Sequence, residues 1–117
     1  MGTELIRGGI YLAKLNPTKG VEAGKIRPVI IIQRQEVLGD YPTVLVVPLT
    51  SNLKGKYPMR MLISAREKLE KDSAAMVDQI RAIDKSRIVP EKLATLTPEE
   101  IKKLEKAIYF FIGAELF

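Results

Sequence analysis

The chain has 117 residues, 46% of them hydrophobic and 28% charged, enough for one domain over 1–117 and with no apolar run long enough to cross a bilayer. It holds no cysteine and no histidine, which excludes disulfides, thiolate–metal sites and imidazole acid–base chemistry. The net charge of +5 sits in one half, since residues 1–60 carry nine Lys/Arg against four Asp/Glu and residues 61–117 carry ten of each.

Ile10–Leu15 is apolar and partly alternating, and reads as a first strand. Asn16-Pro17-Thr18-Lys19-Gly20 stops it, and the stretch to Ile26 reads as a long exposed loop holding Gly20, Gly24, Lys19 and Lys25. Arg27-Pro28 leads into Val29–Ile32, a β-branched run suited to a buried strand. Gly39-Asp40-Tyr41-Pro42 predicts a turn, and Thr43–Leu49 a third strand whose Pro48 points to an edge or a bulge. Thr50–Lys56 is a polar, basic loop, followed by a fourth strand over Met59–Ile63. Ser64-Ala65-Arg66-Glu67 has capping-box spacing for a short helical turn through Leu69. Ala74–Ile83 reads as one bent strand, Asp84-Lys85-Ser86 as a turn, and Ile88–Leu93 is ambiguous. The clearest element is last: Thr97 as N-cap, Pro98 at the first helical position and Glu100 at N3 open a helix that Gly113 ends. Ile101, Leu104, Ile108 and Ile112, widened by Ala107 and Phe111, form its apolar stripe. The expected architecture is α+β, a small curved antiparallel sheet or barrel closed by a C-terminal helix.

Catalysis in this chain must draw on carboxylates, hydroxyls, Lys, Arg or Tyr. Asp72, Asp78 and Asp84 are the only spaced cluster of aspartates and match no metal-binding motif, so neither a metal nor a cofactor is expected. The 16–24 loop has neither of the phosphate-loop spacings and no helix after it. What remains is Arg27, where a basic loop enters an apolar strand, and Thr50-Ser51, where the third strand leaves the core. A guanidinium fork beside two hydroxyls suits a phosphodiester, although the same residues also fit a plain strand start and a turn. The basic half, with Tyr11, Tyr41 and Tyr57, fits a polyanion partner or simple solubilising charge. The N-terminus lacks the layout of a signal peptide, so a cytoplasmic location is expected.

Read as strings, Arg7–Gly20, Gly24–Gln33, Pro48-Leu49-Thr50-Ser51 and Asp72-Ser73 with Asp78–Lys85 resemble, in order and at normal spacing, the MazF/PemK-type toxins. The resemblance implies an SH3-like barrel with helices and a homodimer. It implies a sequence-specific, ribosome-independent endoribonuclease of a type II toxin–antitoxin system, cutting single-stranded RNA to a 2′,3′-cyclic phosphate and a 5′-hydroxyl. By that likeness Arg27 and Thr50 are the catalytic pair and Ser51 assists. Lys19, Glu22, Gly24 and Lys25 on one loop and Asn52, Lys54 and Lys56 on another shape the RNA groove. Asp78 and Gln79 contact bases, with Arg81 beside them. The expected partners are single-stranded mRNA and an antitoxin with an acidic tail, and no membrane. Ala23 stands where members often carry glutamine, which bears on the RNA sequence recognised. Two alternatives share the fold: a CcdB-like gyrase poison, disfavoured by the absence of Trp near the chain's end, and a non-catalytic RNA-binding module.

Overall fold

The structure, a computed structural model, describes residues 4–17, 19–22 and 24–114. Thr18, Ala23, the first three residues of the N-terminus and the last three residues of the chain lie outside the described residues. Seven strands are followed by one helix: β1 (Gly9–Lys14), β2 (Ile26–Ile31), β3 (Thr43–Thr50), β4 (Arg60–Ile63), β5 (Ser73–Met76), β6 (Arg81–Asp84), β7 (Ile88–Thr95) and α1 (Pro98–Ile112). All pairings are antiparallel, in the order β4-β5-β3-β2-β1-β7, with β6 also paired to β3.

The three central strands are buried on both faces, which is why they read as nearly unbroken apolar runs. One face sets Ile10, Ile30, Val47 and Leu49 against Met61 and Ile63 of β4, Ala75 of β5, Ala94 of β7 and Leu104 and Ala107 of α1. Because β4 and β7 stand at opposite ends of the strand order, they can share this core only if the sheet coils on itself. The coil is closed by the backbone, Lys68 N donating to Leu93 O at 2.8 Å. Fully buried Ile30, Leu49 and Leu104 contribute about 1.5–3 kcal/mol each by leaving water. The other face packs Tyr11, Val29, Ile31, Val44, Val46, Ile83 and Ile88 together. Tyr11 is therefore a core residue, its hydroxyl accepting from Ile6 N at 3.0 Å, and not an exposed stacking aromatic.

Four local expectations change. Ala74–Ile83 is two strands, because the 3-10 turn Val77–Gln79 breaks the run and sends β5 and β6 to different parts of β3. The apolar sequence conceals that corner, having no Gly or Pro to mark it. The 64–69 segment makes a tight turn closed by an Arg66–Leu69 bridge and not a helical one, since the Ser64 hydroxyl that would cap a helix instead accepts from Arg66 Nη2 at 2.8 Å. Ile88–Thr95 is a full strand, paired along β1 with two register shifts. Pro48 lies in the central strand, at the place where the outer partner of β3 changes from β6 to β5. Ile32 N donates to Leu45 O, so by strand alternation Pro48 turns its missing N–H away from β2, toward that change of partner.

The helix forms as its sequence dictates. Thr97 Oγ1 accepts from Glu100 N at 3.1 Å and Glu100 Oε1 accepts from Thr97 N at 2.8 Å, while Gly113 ends the helix at φ 76°. Ile101, Leu104, Ala107 and Ile108 meet the core, but Phe111 and Ile112 do not, being 44% and 63% exposed with Phe110 at 69%. The buried stripe is one turn shorter than its periodicity suggests. The approach of the helix depends on Gly8, at φ +85°, where a Cβ would lie 2.6 Å from Ile101 Cδ1. Two ion pairs fasten α1 to the sheet: Arg7–Glu105 at 2.6 Å and the two-pronged Arg66–Glu100 at 2.5 and 2.8 Å.

Glu100 thus completes the cap and holds the 64–69 turn. Hydrogen bonding from Arg66 keeps its carboxyl below the ordinary 4.5, with burial opposing and the Thr97 N–H helping. Glu100→Ala should cost about 1–2 kcal/mol through loss of the cap and the pair, lowering Tm by about 4–8 °C per kcal/mol. Since the folded state holds this proton more weakly than the unfolded chain, the contribution is present above the ordinary carboxyl value and is lost as pH falls through the depressed one. Melting curves of both proteins should converge on acidification below about pH 4.5.

Candidate active site

The ladder between β2 and β3 is short, running only from Ile31–Val46 to Val29–Pro48. Ile31 O accepts from Gly8 N, so Val29 and Ile31 turn their backbone groups to β1 and Pro28 turns toward β3, where it has no N–H to give. The ladder stops there. Continuing its register by two residues sets Arg27 opposite Thr50, at the end where the strands are no longer bonded. On the other side of β3, Thr50 pairs with Ala74 of β5. One row across three strands therefore carries Arg27, Thr50 and Ala74.

Local bonds set both side chains. Arg27 Nε donates to Gly24 O at 3.0 Å, and its two terminal nitrogens bond no other described residue. Thr50 Oγ1 accepts from Asn52 N at 3.1 Å, so the free donor of the hydroxyl is its O–H. Asn52 Oδ1 in turn accepts from Lys54 N at 3.1 Å, and the exit of β3 is held as two linked side-chain turns.

Thr50 is the residue shared by two clefts. The first, about 480 Å³, has an apolar floor of Leu12, Pro28, Leu49, Leu69 and Leu93 and a rim that includes Lys25, Arg27, Ser51, Lys68, Glu70 and Lys71. The second, also about 480 Å³, is lined by Thr50, Asn52, Lys54, Gly55, Lys56, Met59, Arg60, Met76 and Asp78. Alternation along β3 puts the Thr50 side chain on the face opposite Leu49, and its row partner Ala74 is two residues from Met76 on β5. The Thr50 hydroxyl belongs with the second cleft, and the first is its apolar neighbour. Seven cations and two carboxylates line the pair of clefts, so a polyanion is attracted there. Lys68 and Lys71 come from the half of the chain with no net charge.

Most sequence-derived candidates converge here. Arg27, Ser51 and Lys25 line the first cleft, and Asn52, Lys54, Lys56 and Asp78 the second. Lys25 sits at φ 64° with its N–H on Asn16 Oδ1 at 3.0 Å, fixing the base of the 16–25 loop. Lys19 and Glu22 bond each other in an exposed turn, Lys19 N to Glu22 Oε1 at 2.7 Å, and line neither cleft. Gln79 ends the 3-10 turn, half-buried. Arg81 is paired in register with Val46, and its Nη1 is buried with no hydrogen-bond partner among the described residues; Gln79 and Arg81 both lie outside the two clefts. The three aspartates weighed as a metal cluster have separate tasks. Asp72 accepts from Ala65 N, Asp84 caps Ser86, and Asp78 pairs with Arg60 at 2.5 Å. Sequence reasoning missed Arg60, whose signal was an arginine heading a strand right after a lysine-rich loop.

Comparison with known proteins accords with this geometry. Residues 6–112 match the family model for the PemK-like, MazF-like toxin of type II toxin–antitoxin systems. An endoribonuclease MazF of Staphylococcus saprophyticus is 41% identical over 109 residues, covering 92% of this chain and 90% of that one. The fold matches the Mycobacterium tuberculosis toxin MazF-mt6 at a TM-score of 0.78, with 22% identity and coverage of 92% and 99%. It also matches a MazE–MazF structure from Deinococcus radiodurans at 0.76, with 22% identity and coverage of 96% and 98%. The chain belongs to the PemK/MazF family of toxins of type II toxin–antitoxin systems.

Proposed function

We propose that this toxin is a metal-independent, ribosome-independent endoribonuclease that cuts single-stranded RNA in a sequence-dependent way, through the RNA's own 2′-hydroxyl. The observation that carries the proposal is the unbonded end of β2 and β3, which sets Arg27 opposite Thr50 beside a lysine-lined groove. The family and the named endoribonuclease relative support it. RNA in the cytoplasm is then the substrate.

The 2′-hydroxyl gives its proton to water as its oxygen bonds to phosphorus, and the 5′-oxygen takes up a proton from water as its own bond to phosphorus breaks, leaving a 2′,3′-cyclic phosphate and a 5′-hydroxyl. Charge accumulates on the non-bridging oxygens in between. The terminal nitrogens of Arg27 hold those oxygens as a fork and offset their charge. Its role is therefore electrostatic. The Thr50 O–H, oriented by Asn52, donates to the same phosphate, and Ser51 assists at the rim. Using the 2′-hydroxyl as nucleophile spares DNA.

Lys25, Lys54 and Lys56 are assigned to the RNA backbone, with Asn52 and Gly24 shaping the groove and Asp78 touching a base. Lys19 and Glu22 brace the 16–25 loop at its edge, while Gln79 and Arg81 adjoin the corner that presents Asp78. The same cations suit the acidic tail of an antitoxin, which would fold across the groove and block it; the Deinococcus MazE–MazF structure supports such a partner. Phe110, Phe111 and Ile112, exposed at the end of α1, suit a homodimer contact.

Purified protein incubated with a long single-stranded RNA in EDTA should cut it at recurring sequences and leave 5′-hydroxyl ends. RNA left intact at protein excess would overturn the proposal and favour a gyrase poison or a passive RNA-binding module. Arg27→Ala and Thr50→Ala should each reduce single-turnover cleavage by about 10²–10³-fold with melting unchanged; near-full activity in either would remove that residue from the site. Replacing Lys54 and Lys56 together with Ala should flatten the dependence of log affinity on log salt by about 0.7 for each phosphate no longer neutralised.

A further inference from the structure

Arg60 is held with a rigidity that an exposed ion pair does not require. It opens β4 opposite Met76, and its backbone N–H donates to Lys56 O at 2.9 Å. Its stem lies under Gly55, which adopts φ +102° and whose missing Cβ would fall 2.6 Å from Arg60 Cγ. No side chain larger than glycine's fits there without moving the arginine. At the other end, Nη1 donates both to Met59 O at 3.0 Å and to Asp78 Oδ1 at 2.5 Å. Stem and plane of the guanidinium are thus both fixed. Exposed pairs of this kind, here 27% and 35% exposed, contribute little stability, so the arrangement is better explained by what it leaves open. No described residue accepts from Nε or Nη2. These two N–H groups form one straight edge of the fork, in a cleft shared with Thr50 and walled by Met59 and Met76.

We propose that Arg60, oriented by Asp78 and Gly55, reads one base of the RNA next to the cleavage site, selecting an edge with two adjacent acceptors. Guanine presents O6 and N7, and cytosine N3 and O2, as such pairs. Adenine and uracil alternate donors with acceptors on their polar edges and leave one of the two N–H groups unpaired. An unpaired donor in a dehydrated slot is costly, which is what makes the contact selective. The two methionines supply polarizable walls against the face of an unstacked base. The assignment rests on the endoribonuclease function above and adds to it a residue that chooses the substrate.

Two libraries of random single-stranded RNA test this against wild type, Arg60→Lys and Asp78→Asn. One has natural riboses, with cut ends sequenced; the other has 2′-O-methyl riboses, with bound molecules sequenced. Wild type should fix guanine or cytosine at one position beside the cut, and the same base should be enriched among bound molecules. Arg60→Lys keeps the charge but loses the fork, so the preference at that position should fall by about 10–100-fold while other positions keep theirs. Asp78→Asn, which replaces the charge-assisted bond at Nη1 with a weaker neutral one, should blunt the same position. Unchanged melting temperatures confirm that the variants fold. An undiminished preference in Arg60→Lys, a fixed adenine or uracil at the position that responds, or a uniform loss across all sequences (as expected of a phosphate contact) would each overturn the proposal. Failure of wild type to cut would instead count against the endoribonuclease function, while the bound library would still decide whether Arg60 selects a base.

Discussion

Pro28 faces β3 without an N–H to give, and most of what matters in the site follows from that missing donor. A full ladder would bond β2 to β3 along their whole length and close the sheet over Arg27 and Thr50. Instead the pairing ends at Val29 and Pro48, and the strands are left unbonded just where both carry polar side chains. Pro48 performs a related service on the other side of β3, standing where its partner changes from β6 to β5. Two prolines inside central strands, ordinarily disruptive, here give a rigid sheet an open end.

Rigidity on either side of that opening comes from burial. β1, β2 and β3 are covered on both faces, by α1 with β4, β5 and β7 on one and by β6 and neighbouring turns on the other. Arg27 and Thr50 project from strands that cannot move independently, and short local bonds from Gly24 and Asn52 fix their polar ends. Preorganised donors of this kind are what a developing negative charge needs, and a low-dielectric support strengthens them. The surrounding loops are exposed and rich in lysine. In the proposed function, affinity for the polymer is assigned to those loops and chemistry to the sheet end.

The sequence was informative where local chemistry decides structure. Thr97, Pro98, Glu100 and Gly113 bound the helix, and the β-branched runs locate the central strands. Arg27 and Thr50 could be paired because a register of neighbouring antiparallel strands allows it, and the family likeness singled them out. What stayed hidden depends on packing between distant segments. No residue in Ala74–Ile83 announces the corner at Val77–Gln79, since that corner exists to serve two stretches of β3. Ser64 had the spacing of a helix cap but gave its hydroxyl to Arg66. Phe111 and Ile112 keep the helical period while running past the end of the core. Arg60 was invisible as a site residue because its partners, Gly55 and Asp78, reach it from opposite sides only after β4 and β5 have paired.

The central claim is that the phosphate lies between Arg27 and Thr50 while the RNA's own 2′-oxygen attacks it. An RNA oligonucleotide carrying a mapped cleavage sequence, with a single 2′-deoxy nucleotide immediately 5′ of the scissile phosphate, tests this most directly. Wild-type protein should bind it about as tightly as the all-ribose strand and should not cut that phosphate at all. Cleavage there at a comparable rate, leaving no cyclic phosphate, would mean that water attacks, and would contradict the claim.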